Sequence, residues 1–170
     1  MIVAVKHNFE TAHRLPFLEG KCQSIHGHSW WVEWQFEKPV DSNGLTVEYG
    51  TMKRHLRDWV DTYLDHGTML GINDPLWQAF KDDIGCKLFT FGASSKEFMS
   101  TADHKWPTVE AVAQLLANVG EGLIGEAQIV RVEVQETHVN KAIWTPTEND
   151  IEYQRRVREP AQDTFGQRSK

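Results

Sequence analysis

His26-Gly27-His28-Ser29-Trp30-Trp31-Val32-Glu33-Trp34-Gln35-Phe36 is the stretch that decides how this chain folds. Trp30, Val32, Trp34 and Phe36 fall on every second position. Side chains alternate between the two faces of a strand, so the run reads as a strand with one buried face. His26 and His28 keep the same parity and therefore face inward together. Two imidazoles at i and i+2 can both reach one metal ion, at about 2.0–2.1 Å per bond for zinc.

Upstream, Val3, Val5 and Phe9 also alternate and predict a first strand. His13, in Thr11-Ala12-His13-Arg14-Leu15, keeps that parity if the strand persists. A catalytic zinc site needs three protein ligands and one open position, and His13 is the natural third ligand. His7 shares the parity and competes with it. His55 and His104, on a helix face and in a loop, carry no functional assignment. Cys22 precedes His26 by four residues. A thiol near a bound cation has a lowered pKa. Spacing leaves two roles open for it: a fourth ligand that closes the site, or a base or nucleophile beside an open one. Cys86 reads as an inert thiol.

Downstream, Pro39-Val40-Asp41-Ser42-Asn43-Gly44 is a turn signal, and Leu45 to Tyr49 is expected to return as an antiparallel partner strand. Met52, Leu56, Trp59, Val60 and Tyr63 share one face of a helix over Thr51–Leu64. Asp74-Pro75 starts a short helix ending near Gly85, Lys87–Phe91 reads as a strand, and Gly92–Trp106 as a loop. Thr108 caps a second long helix with Val109, Val112, Ala113 and Leu116 on its buried stripe, stopped by Gly120 and Gly122. Ile129–Gln135 alternates again, and Lys141–Trp144 is a last short strand. The order implies an α+β fold, an antiparallel sheet with two long helices on one face. The charged stretch from Asp150 reads as a mobile tail.

The 170 residues suit one domain, and a net charge of −6 argues against a nucleic-acid surface. No apolar run approaches the ~20 residues needed to span a bilayer, and the first residues lack a signal-peptide pattern, so the chain is expected in the cytoplasm and off the membrane. Two cysteines in a reducing compartment predict no disulfide.

Three acidic positions complete the candidate set. Asp65-His66 fits an orienting or proton-relay pair, or simply a charged helix end. Glu110 lies in the first turn of a helix, where a carboxylate is favoured by the dipole alone. Glu136 continues the parity of Val130, Val132 and Val134. An inward carboxylate is tolerable if a ligand offers it two N–H donors, as the guanidine-like edge of a heterocycle does. If the strand ends at Gln135, Glu136 is solvated instead.

Taken in order, Thr11-Ala12-His13-Arg14-Leu15, Gly20-Lys21-Cys22-Gln23-Ser24-Ile25-His26-Gly27-His28, Leu64-Asp65-His66, Pro107-Thr108-Val109-Glu110 and Glu136-Thr137 resemble the motif set of the 6-pyruvoyl- and 6-carboxy-tetrahydropterin synthase family, across roughly residues 1–145. The resemblance implies a tunnelling fold: a four-stranded antiparallel sheet with two helices, the sheets of several subunits joining into a β-barrel. It implies zinc on His13, His26 and His28, and Cys22, Asp65 and His66 as the catalytic proton-transfer groups. Thr108, Glu110 and Glu136 would bind the pterin. The substrate would be 7,8-dihydroneopterin triphosphate, handled in a homo-oligomer, a hexamer built as a dimer of trimers, with active sites between subunits. The Gly-Lys-Cys start of the Cys-x-x-x-His-Gly-His segment resembles the carboxy-forming branch, a zinc-dependent lyase of 7-deazaguanine (queuosine) biosynthesis that also releases acetaldehyde and triphosphate. The pyruvoyl-forming reaction, a non-catalytic pterin or metal binder, and an unrelated zinc hydrolase are the competing readings. On this view residues 1–149 form one catalytic domain with an extended insertion at 71–106, and 150–170 a charged tail. Met69-Leu70-Gly71, Glu48-Tyr49 and Ala111 depart from the family's usual residues, at positions outside the proposed ligands.

Overall fold

The structure, a computed structural model, describes residues 1–95 and 99–158, the last three by backbone alone. Two strands of twelve residues, β1 (Ile2–His13) and β2 (His26–Glu37), pair antiparallel along their whole length, from Ile2 opposite Glu37 to His13 opposite His26. Helix α1 (Tyr49–Tyr63) follows, then β3 (Gly67–Gly71), α2 (Trp77–Asp82), β4 (Leu88–Phe91), α3 (Val109–Leu123), β5 (Gln128–Gln135), β6 (Lys141–Trp144) and α4 (Glu148–Arg158). The sheet order is β4-β3-β1-β2-β5-β6. β1, β2, β5 and β6 form an antiparallel block, whereas β3 runs parallel to β1, and β4 parallel to β3. The sheet is therefore six-stranded and mixed, not the four-stranded antiparallel sheet expected. Strands joined by helical crossovers enter a sheet in parallel, and β4 belongs to the 71–106 segment.

The alternation in the two long strands places Val3, Val5, Phe9, Trp30, Val32, Trp34 and Phe36 in one buried cluster with Met52, Leu56 and Val60 of α1 and Val112, Leu116 and Val119 of α3. Both long helices thus cover the same sheet face. Trp30 and Trp34 are fully buried, and each indole N–H is satisfied, by Thr11 O at 3.1 Å and Leu116 O at 2.8 Å. Truncating a buried tryptophan costs about 3–5 kcal/mol. The opposite face carries a charged ladder across strands. Lys6 pairs with Glu33 at 3.2 Å, and Arg131 and Lys141 both pair with Glu133, offsetting two glutamates that stand directly opposite each other.

Four further expectations need correction. Leu45–Tyr49 is not a strand: Asp41 Oδ1 accepts from the Asn43 and Leu45 amides, holding a turn, and Glu48 caps α1 by accepting from Gly50 and Thr51. β5 takes the place beside β2 that this segment was expected to fill. Gly120 does not stop α3, which runs to Leu123. A Cβ there would lie 2.8 Å from Ile129 Cδ1 and 2.9 Å from Trp34 Cδ1, so glycine lets the helix approach the sheet. Finally, the charged tail begins as helix α4, where Gln154 is buried. The rest of that tail, 159–170, lies outside the described residues. Tyr63, expected on the buried face of α1, is 39% exposed and leans on Trp59 instead.

Candidate metal centre

β1 continues through His13, and the register does the rest. His13 is the cross-strand partner of His26, while His28 stands opposite Thr11, one same-face position away. Ring centroids are 4.6 Å apart for His13–His26, 4.9 Å for His26–His28 and 5.3 Å for His13–His28. One nitrogen from each ring falls within 4.8 Å of the other two. The Trp30 ring packs edge-on against both His13 and His28 and floors the cluster.

The tautomers follow from the backbone. His13 Nδ1 lies 2.8 Å from Pro107 O, and His26 Nδ1 lies 2.8 Å from Ser24 O. A carbonyl can only accept, so each Nδ1 carries a proton, which leaves Nε2 as the nitrogen each ring can offer a metal. This is the carbonyl-supported arrangement of a metal-binding imidazole. His13 Nε2 is buried and has no hydrogen-bond partner. It faces Glu136 Oε1 at 3.5 Å, so two electron-rich atoms point at one another. Burial holds the His13 pKa down at about 4, and the neighbouring His26 and His28 push the same way against the Pro107 hydrogen bond. His28 is also lowered by burial, with Glu136 pulling it back up and His26 adding to the lowering. Neutral imidazoles at ordinary pH are what a cation requires. Three nitrogen donors, one of them a buried lone pair with no hydrogen-bond partner, fit zinc.

Glu136 lies just past the end of β5, in the turn where its N–H donates to Asn140 O. It is nonetheless turned inward, with a side chain only 17% exposed. Cys22 sits half-buried in a single turn, Lys21–Gln23, as a free thiol. It does not join the ligand cluster, so the fourth-ligand role receives no support. Cys86 is likewise a free thiol. His7 is drawn to Asp61 of α1 at 2.8 Å and does not compete with His13.

Asp65 and His66 form their expected pair, Nδ1 to Oδ2 at 2.6 Å, with His66 in the left-handed region at φ 55° and 78% exposed. Desolvation pushes the Asp65 carboxyl up, but the Glu10 amide and the His66 ring outweigh it and hold it below the usual range. Glu10, whose amide donates to Asp65, sits beside Thr11, the register partner of both His28 and Gly67. Thr108 caps α3 through the Ala111 amide, which fixes the helix start next to Pro107. Glu110 is exposed and, with Thr108, Gln114, Trp106 and Trp144, lines a cleft of about 470 Å³. Sequence reading missed the Pro107 and Ser24 carbonyls, because a backbone acceptor leaves no mark in residue type. It also missed the pairing of buried Asp74 with Arg14 at 3.1 Å.

This α+β sheet with a three-histidine centre at one end of its central hairpin defines the class. Residues 2–147 match the family described as 6-pyruvoyl tetrahydropterin synthase, and the chain belongs to that family. Among curated relatives, a Synechocystis protein named 6-carboxy-5,6,7,8-tetrahydropterin synthase is 35% identical over 95 residues, covering 51% of this chain and 74% of its own length. One of the same name from Aquifex aeolicus is 26% identical over 129 residues, covering 72% and 74%. These relatives support the carboxy-forming branch. The fold is shared with an uncharacterised Wolinella succinogenes protein, WS1659 (TM-score 0.68, 17% identity, 86% of this chain and 98% of that one). It is shared too with the 6-pyruvoyl tetrahydropterin synthase of Caenorhabditis elegans (TM-score 0.56, 20% identity, 86% and 97%). Among the described residues, no helix is long and apolar enough to cross a membrane.

Proposed function

We propose that this chain is a zinc-dependent 6-carboxy-5,6,7,8-tetrahydropterin synthase. It would convert 7,8-dihydroneopterin triphosphate and water to 6-carboxytetrahydropterin, acetaldehyde and triphosphate, on the route to 7-deazaguanines. The observation that carries this reading is the buried, unpartnered Nε2 of His13, aimed at the same space as His26, His28 and Glu136. The names of the curated relatives favour the carboxy-forming branch.

His13, His26 and His28 would hold the ion, which when bound supplies Lewis-acid polarisation of the substrate's side-chain hydroxyls. Glu136 would orient the pterin by accepting from its ring N–H groups, and Thr108 and Glu110, which line the separate cleft beside α3, would bind it as well. Cys22 as thiolate takes a proton from the side chain, and the Asp65–His66 pair relays protons through the His66 ring to the developing enolate and leaving groups. Asp65 lies below the ordinary carboxylate range, so at neutral pH it is an anion that keeps the imidazole oriented. In a homo-oligomer with active sites between subunits, the pair would serve the imidazole trio of a second copy. Among the described residues β3 meets β1 only at Thr11–His13, and Glu10 is taken up by Asp65 and His66, which leaves Ile2–Phe9 of β1 without a strand partner on that side for such a copy. A hexamer, working in the cytoplasm, fits this arrangement.

A second reading, triphosphate elimination without carbon loss, is favoured by the family description itself. Mass spectrometry of the products after incubation with dihydroneopterin triphosphate separates the two. Acetaldehyde release supports the carboxy-forming assignment, and pyruvoyl product without it defeats that assignment. Full turnover by zinc-loaded Cys22→Ala would remove the thiol from the mechanism.

A further inference from the structure

The two ends of the segment 71–106 converge on one loop. At its start, the buried Asp74 side chain pairs with Arg14 as an ion pair, Nε to Oδ2 at 3.1 Å but without hydrogen-bond geometry, while its other oxygen accepts from the Leu76 amide at 2.8 Å. At its end, the Trp106 ring lies 5.6 Å from that of Phe17, tilted by 42°. The two ends are locked to each other. A Cβ on Gly71 would lie 2.5 Å from Lys105 O and 2.6 Å from Trp106 Cε3, so only glycine lets the neck close. Arg14 and Phe17 belong to the loop that leaves β1 after His13 and reaches Cys22. At its base that loop is tied by Leu15 N donating to Cys22 O at 2.7 Å. Phe17, near the loop's far end, is 55% exposed, and Trp106 is its aromatic neighbour.

We infer that the neck of the 71–106 segment is a clamp that positions Cys22. Asp74 grips the start of the loop through Arg14, and Trp106 grips it through Phe17, so the thiol's place is set by residues remote in sequence. A buried carboxylate needs a matched partner, and Arg14 supplies one at the first residue after a metal ligand. Arg14, Phe17, Asp74 and Trp106 are thus positioning residues, acting through the loop. The inference rests on the proposed role of Cys22 for its relevance to turnover, but not for its test.

The test is the rate of Cys22 alkylation by iodoacetamide, followed by mass spectrometry on the zinc-loaded full chain in a Cys86→Ser background. Trp106→Ala and Phe17→Ala are expected to alkylate several-fold faster than the parent, with metal content unchanged. Trp106→Phe, which keeps a ring on Phe17, is expected to restore the slow rate. Alkylation of the alanine variants at the parent rate or slower, or a Trp106→Phe rate equal to that of Trp106→Ala, overturns the clamp. If Trp106→Ala does not fold, the exposed Phe17→Ala change decides alone. Turnover that survives Cys22→Ala would sink the proposed chemistry while leaving the alkylation result standing.

Discussion

His13 and His26 occupy the last rung of the β1–β2 ladder as direct cross-strand partners, and their rings lie 4.6 Å apart. The metal centre is therefore a property of strand register as much as of residue type. Replacing any one of His13, His26 or His28 by alanine leaves two donors where a catalytic zinc needs three. Each variant is expected to lose bound zinc after dialysis, as read by elemental analysis, while its far-ultraviolet circular dichroism stays that of the parent.

Acid should unfold the metal-free protein through His13. Its folded pKa is about 4 because of burial, against 6.5 in the unfolded chain. Above pH 6.5 neither state binds the proton, and the stability is fully present. As pH falls from 6.5 toward 4, only the unfolded state takes the proton, and stability is lost, by ~3 kcal/mol. Below pH 4 both states are protonated and this loss stops. Urea unfolding across that range measures it, and His13→Gln should flatten the slope. Bound zinc should shift the loss to lower pH, since metal competes with the proton.

Glu136→Gln removes the anion that the pterin N–H groups would meet, with little change of shape. Losing a charge-assisted, two-point contact costs roughly 1.5–3 kcal/mol. Steady-state assays should show kcat/KM down by tenfold or more, with zinc content intact. Unchanged kinetics would remove Glu136 from the binding site.

Gly120→Ala sets two effects against each other. Alanine gains about 1 kcal/mol of helix propensity. Its Cβ, however, meets Ile129 Cδ1 at 2.8 Å and Trp34 Cδ1 at 2.9 Å, and the Trp34 indole is pinned by its bond to Leu116 O. Overpacking of this kind costs about 1–3 kcal/mol. The steric effect should win, and denaturant unfolding should show a net loss of stability.

Thr108→Ala removes the hydroxyl that accepts from the Ala111 amide, at a cost of about 1 kcal/mol. Because the cap adjoins Pro107, whose carbonyl orients His13, the same variant should also bind zinc more weakly in a chelator competition. A stability loss with unchanged zinc affinity would separate the cap from the metal centre.

Much of this was readable from residue order. Period-two alternation located β1, β2 and β5, helical spacing located α1 and α3, and matched parities assembled the three histidines. These are short-range signals that backbone geometry converts directly into facing. What escaped reading was long-range. The strand β3 is a five-residue run, Gly67 to Gly71, too short to show a period, and its pairing with Thr11–His13 depends on α1 returning the chain. Leu45–Tyr49 has strand-like composition, but the Asp41 and Glu48 carboxylates bind its flanking amides first. Glu136 was assigned inward by strand parity, whereas it arrives there through a turn.

The alternation that buries Trp30 and Trp34 has one more consequence. A slip of β2 by a single residue would swing both indoles into water along with His26 and His28, since all four share one face. The apolar side chains therefore proofread the alignment of the ligands before any ion arrives. A chain that has hidden its tryptophans has, by the same act, aimed its imidazoles.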